Sequence, residues 1–196
     1  MFKVTLAVIS NRQVKPQTTQ ALLELVAKGG YDFHFTVAQH GYTIAENRTV
    51  CAIRAKKNNS DYLFFIDDDM VFPPDTLEIL IRQDKDIIGP AYRARTMDSK
   101  RSAALLEGGF VDLDATTEEK YKTTFECNAK GTGVMLINMK IFKVMEKPWF
   151  DFIYDKKVGV CTLGEDYFFC RKAKELGFTV WCDPTILVGH IGDYSY

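Results

Sequence analysis

The sequence predicts an α/β protein with a mainly parallel sheet flanked by helices. Two observations carry this. Apolar, strand-like runs alternate with helix-like stretches from the first residue, in the order of βαβ units. The run Tyr62-Leu63-Phe64-Phe65-Ile66 is also apolar at every position, as suits a strand buried on both faces of a parallel sheet.

Taken in order, Val4 to Ser10 reads as a strand of Val, Leu and Ile. Thr18 to Lys28 reads as a helix with Leu22, Leu23, Leu25 and Val26 on its apolar side, ended by Gly29-Gly30. Phe33 to Val37 is a second strand, and Thr43 to Lys57 is a polar-faced helix broken by Asn58-Asn59-Ser60. After the strand Tyr62 to Ile66, Pro73-Pro74 opens a helix carrying Leu77, Ile79, Leu80 and Ile81, since proline is tolerated in the first turn. Asp86 to Ala91 is a short strand. Tyr92 to Arg101 is polar and basic, and Asp112 to Glu126, rich in Thr, Glu and Lys, reads as a surface hairpin or flap. Gly133 to Ile137 returns to strand. Lys140 to Glu146 is a short helix stopped by Lys147-Pro148, and Gly164 to Leu176 is a helix closed by Gly177. Thr179 to Cys182 and Ile186 to Val188 read as closing strands.

Composition narrows the function classes. The 196 residues fit a single domain, and 46% hydrophobic residues supply a full core. The balance of 25 basic and 26 acidic side chains gives a net charge of −1, whereas nucleic-acid binders usually carry a basic excess, so no nucleic acid is expected. No apolar run approaches the ~20 residues of a membrane span. Phe2 to Ile9 is too short for a signal peptide and has no cleavage pattern. A cytoplasmic protein without a transmembrane segment is expected. The five cysteines are odd in number and contain no CxxC pair, which argues for thiols in a reducing compartment and against a disulfide framework.

Three segments carry chemistry. The first is Asp67-Asp68-Asp69, at the carboxyl end of the apolar strand, where open α/β sheets bind ligands. Adjacent carboxylates repel one another, and a cation relieves that repulsion. In an extended chain Asp67 and Asp69 point to one side and Asp68 to the other, so Asp67 and Asp69 are candidate ligands of Mg²⁺ or Mn²⁺. The second is Gly164-Glu165-Asp166. Acidic residues there suit a helix N-terminus, and equally supply a general base for an acceptor hydroxyl. The third is Gly189-His190 near the chain end, where imidazole suits Mn²⁺ beside carboxylate and phosphate.

With Gly131-Thr132-Gly133 and Pro148-Trp149-Phe150, these ordered segments resemble the GT-A glycosyltransferases, especially family 2-like enzymes of bacteria and phages. The resemblance spans nearly the whole chain. It implies a nucleotide-binding half over 1–91 and an acceptor-side half over 92–196, with the flap and a C-terminal metal histidine. It implies a nucleotide-diphosphate sugar as donor (UDP- or GDP-linked) and an acceptor that is a glycan, a protein or a small molecule. Ile9, Ser10 and Asn11 would face the base, and Asn47 and Arg48 would approach the nucleotide or its diphosphate. Asp67 would sit near the ribose, with Asp68 beside it, and Asp69 and His190 would hold the metal. Asp166 would be the base, with Glu165 as its neighbour. Trp149 is either a sugar platform or core, and the arginines between Arg93 and Arg101 either a phosphate clamp or a solvated loop. The opening Ile9-Ser10-Asn11-Arg12 departs from the usual Pro-Thr-Tyr-Asn type of loop.

Two rivals stand beside this reading. Asp67-Asp68-Asp69-Met70-Val71 also fits the nucleophile motif of haloacid-dehalogenase-like phosphatases, with Asp67 phosphorylated and Asp69 as acid/base. That motif normally lies on the first strand, and here two strand–helix units precede it. The other rival is a nucleotide-sugar binding module without catalysis; a related nucleotidyltransferase is a minor option, which should show a glycine-rich, basic loop after strand one, and Asn11-Arg12-Gln13-Val14-Lys15-Pro16 has no glycine.

Overall fold

A computed structural model describes residues 1–10, 13–37, 42–93, 101–107, 109–114 and 118–192. In chain order the elements are β1 (Lys3–Ile9), α1 (Pro16–Lys28), β2 (Asp32–Val37), α2 (Ile44–Lys57), β3 (Tyr62–Asp67), β4 (Met70–Val71), α3 (Thr76–Arg82), β5 (Ile87–Pro90) and β6 (Tyr92–Arg93). There follow β7 (Arg101–Leu106), β8 (Gly109–Asp112), a 3₁₀ turn, β9 (Phe125–Cys127), β10 (Val134–Asn138) and α4 (Ile141–Val144). The chain closes with β11 (Ile153–Tyr154), β12 (Cys161–Leu163), α5 (Glu165–Glu175), β13 (Val180–Asp183) and β14 (Gly189–His190).

The main sheet has seven strands in the order β2-β1-β3-β10-β5-β13-β9. Five run the same way, and β10 and β9 run against them. The fold class is therefore α/β and mainly parallel, with an antiparallel strand set into the middle. Alternation along the strands divides the core into two layers. Leu6, Val8, Phe64, Ile66 and Leu136 pack with Ala21, Leu22 and Leu25 of α1 and Leu77 and Leu80 of α3. Ala7, Leu63, Phe65, Met135 and Ile137 pack with Ala52 and Ala55 of α2 and Phe169 and Ala173 of α5.

Local chemistry sets the helix ends. Thr43 caps α2 through a capping box with Glu46: its Oγ1 accepts the Glu46 N–H at 3.2 Å, and the Glu46 carboxylate accepts the Thr43 N–H at 2.7 Å. Pro16 opens α1.

Three expectations move. The closing strand falls at Gly189–His190, not at Ile186 to Val188, because it forms only by pairing with β4. The helix expected over Lys140 to Glu146 shortens to Ile141–Val144. The flap hairpin is β7–β8, ahead of most of the segment expected to form it; together with β6 it makes a three-stranded sheet. Among the described residues no helix is long and apolar enough to cross a membrane. Four cysteines are buried free thiols, and Cys161 is an exposed one.

Candidate active site

The loops after β1 and β3 converge with the segment that precedes β10. The Asp68 N–H donates to the Ile9 carbonyl at 3.1 Å, and the Asp67 N–H donates to the Gly133 carbonyl at 2.8 Å. The acidic triplet therefore sits at the carboxyl edge of the parallel strands, where ligands bind in open α/β sheets.

Asp67 ends β3. Its Oδ1 accepts from Arg48 Nη2 at 3.2 Å, and Arg48 Nε donates to Glu165 Oε1 at 3.0 Å. Arg48 is 2% exposed and its guanidinium lies 5.3 Å from the centre of the Phe65 ring. Burial weakens its grip on the proton, but the Asp67 and Glu165 carboxylates outweigh this and the net shift is upward. Burial pushes the Asp67 carboxyl up; Arg48 opposes that and Asp69 adds to it. Arg48 Nη1 and the hydroxyls of Ser10 and Thr132 are buried with no hydrogen-bond partner. Buried polar groups are nearly always satisfied, so three such atoms around one sheet edge fit a polar ligand.

Asp69 is 1% exposed. Pairing of β4 with β14 brings His190 to it, with Nε2 3.1 Å from Asp69 Oδ2, and the Ile191 N–H donates to the Asp69 carbonyl at 2.8 Å. The other ring nitrogen, Nδ1, lies 2.8 Å from the Arg93 carbonyl. A carbonyl only accepts, so Nδ1 carries a hydrogen. In the neutral ring Nε2 then turns a lone pair toward a carboxylate, acceptor against acceptor. A proton or a metal cation between them resolves the conflict, and a histidine fixed through its far nitrogen is the usual metal-ligand arrangement. The donor set of Asp69 and His190 thus fits a divalent cation. Among the described residues no three His, Cys, Asp or Glu side chains converge, and the Asp67 carboxylate is held by Arg48.

Across the site, Glu165 and Asp166 form the first turn of α5. Asp166 Oδ1 accepts the Tyr167 N–H at 2.8 Å. Burial, reinforced by Glu165 and opposed by Arg48, pushes the Asp166 carboxyl up to about 6.

The remaining candidates divide. Ile9 is buried in the core, Asn47 is buried on α2, and Asp68 is partly exposed, its carbonyl accepting the Lys15 N–H at 2.8 Å. Asn11, Arg95 and Lys100 lie outside the described residues. Arg93 pairs with Asp114 at 2.6 Å. Trp149 is core, not a platform: it is 3% exposed and its Nε1 donates to the Met145 carbonyl at 2.9 Å.

Two residues at this edge escaped the sequence reading. The Tyr92 hydroxyl accepts the Gly133 N–H at 2.8 Å, and the Lys130 ammonium lies 4.6 Å from the centre of the Tyr92 ring. The only sequence signal was the pair Gly131 and Gly133, where a Cβ would fall 2.6 Å and 2.8 Å from that hydroxyl.

No protein-family model matches the sequence, and no curated protein does. Solved structures match in shape. A197 from STIV aligns with a TM-score of 0.64 at 16% identity, over 96% of this chain and 85% of that one. GalNAc-T7 with UDP, GalNAc and Mn²⁺ aligns at 0.58 and 13% identity, over 97% of this chain and 44% of that one. The inositol-1-phosphate CTP transferase from T. maritima aligns at 0.53 and 14% identity, over 97% and 89%. The fold is thus of the GT-A type, shared by glycosyltransferases and nucleotidyltransferases.

Proposed function

We propose that the protein is a metal-dependent glycosyltransferase that moves a sugar from a nucleotide-diphosphate sugar to an acceptor hydroxyl, using the whole of 1–196 as one domain. The observation that carries this is the pairing of Asp69 with His190, its imidazole anchored on the Arg93 carbonyl. Asp69 and His190 would hold Mn²⁺ or Mg²⁺, which when bound neutralises charge growing on the diphosphate leaving group. Arg48 Nη1 and Ser10 Oγ, buried and unpartnered, offer hydrogen bonds to the nucleotide portion, with Asp67 near the ribose. Asp166 takes the proton of the acceptor hydroxyl as that oxygen attacks the anomeric carbon. A carboxyl raised to about 6 is mostly ionised at neutral pH, yet more basic than an ordinary aspartate. Glu165 serves by holding Arg48.

A structure of the same fold, that of GalNAc-T7, holds UDP, GalNAc and Mn²⁺, which supports this reading. The phosphatase reading needs Asp67 free as a nucleophile, whereas its carboxylate is bound to a buried arginine. The test is thermal stability across UDP-, GDP-, CMP- and dTDP-sugars, each with and without Mn²⁺. A ligand that binds only the folded state raises the melting temperature. One nucleotide giving a Mn²⁺-dependent rise supports the site and names the base. No rise with any donor removes the proposal.

A further inference from the structure

Lys130 is an unusual residue to find at a sheet edge. It is 1% exposed, and among the described residues no carboxylate lies within ion-pairing distance of its ammonium. Burial works against the charge of this ammonium, Asp166 favours it from beyond ion-pair contact, and such groups cluster at functional sites. What the ammonium does meet is the face of the Tyr92 ring.

The surroundings are shaped around this pair. A Cβ at Gly89 would fall 2.8 Å from Lys130 Cε, and Cβ atoms at Gly131 and Gly133 would fall 2.6 and 2.8 Å from the Tyr92 hydroxyl. None of the three glycines has a positive φ, so the absence of a side chain, not backbone freedom, is what these positions supply. The Tyr92 ring also meets His190 edge to face, with centroids 5.9 Å apart. Its hydroxyl oxygen accepts the Gly133 N–H, while its own hydrogen has no acceptor among the described residues. The Gly133 carbonyl accepts the Asp67 N–H, and a Cβ at Gly131 would lie 3.6 Å from Asp166 Oδ2, so both carboxylates are close to this hydroxyl; a phenol keeps its hydrogen at neutral pH and stays a donor.

Tyr92 therefore lies among the donor carboxylates, the metal-side histidine and the acceptor base. In any direct transfer the sugar must occupy the gap between leaving group and base. We infer that Tyr92, with Lys130 packed on its ring, is a specificity-determining residue whose hydroxyl donates to an oxygen of the transferred sugar. The cation draws electron density from the ring and makes the phenol a stronger donor, so Lys130 acts through Tyr92 as a positioning residue. This rests on the transferase reading above.

The test compares calorimetric binding of UDP with UDP-glucose, and of GDP with GDP-mannose, all with Mn²⁺. Tyr92→Phe, which keeps the ring, should weaken the better-bound sugar nucleotide about tenfold, roughly the worth of one hydrogen bond, and leave the free nucleoside diphosphate unchanged. Lys130→Met should weaken the same ligand by a smaller factor, and the double variant should bind no worse than Tyr92→Phe alone. Equal losses on nucleotide and sugar nucleotide, or additive losses in the double variant, would reduce the pair to a packing role and overturn the inference. If the wild type binds neither these ligands nor any CMP- or dTDP-sugar of the melting panel, the transferase reading itself falls, and this inference with it.

Discussion

Arg48 joins two carboxylates that the chain separates widely, Asp67 on a strand and Glu165 on a helix 117 residues from the arginine. That makes the residue scale the place for the site's sharpest tests. Asp69→Ala should abolish Mn²⁺-dependent nucleotide binding in calorimetry while circular dichroism shows the fold intact. Undiminished binding would remove Asp69 from the metal site. Asp166→Asn should spare nucleotide binding and slow transfer by about a hundredfold or more, the usual range for a lost general base. Transfer by the wild type should rise as pH climbs through about 6, since the base must be ionised, and a rate flat across that range would exclude Asp166 from the role. Stability runs the other way. The folded-state carboxyl at about 6 lies above its ordinary value of 3.8, so between those values the native state holds more protons than the unfolded chain. This group's contribution therefore falls as pH rises across that window, and Asp166→Asn should flatten the fall in urea titrations.

At the scale of elements, two substitutions separate packing from chemistry. Thr43→Ala removes the capping box of α2 and should cost about 1 kcal/mol in denaturant unfolding. Gly89→Ala puts a methyl onto the Val134 carbonyl and against Lys130, between β5 and β10, and should cost about 3 kcal/mol; a neutral result would mean that the two strands part easily there. The elements also show what the sequence disclosed. β1, α1, α2 and β3 were readable because apolar periodicity and capping residues are local signals. The direction of β10 was not, since an all-apolar run such as Val134-Met135-Leu136-Ile137 looks the same whichever way it runs. β14 was missed because two residues become a strand only opposite β4, more than a hundred positions away.

At the scale of the whole molecule, the chemistry-bearing residue types were legible, but their partnerships were so only where the family resemblance supplied them. Asp69 and His190 were named as companions through the family resemblance, while Tyr92 with Lys130 carried no local pattern, because a cation on a ring is made by tertiary packing alone. The two halves expected over 1–91 and 92–196 are also interlocked: β10, from the second, lies between β3 and β5 of the first. This has a bearing on biosynthesis. As the chain leaves the ribosome, β2, β1 and β3 can pair at once, but the far side of β3 stays an open, wholly apolar edge until residue 138 has emerged. A gene truncated after residue 91 should therefore yield insoluble material, whereas the two fragments translated together should rescue each other by strand complementation.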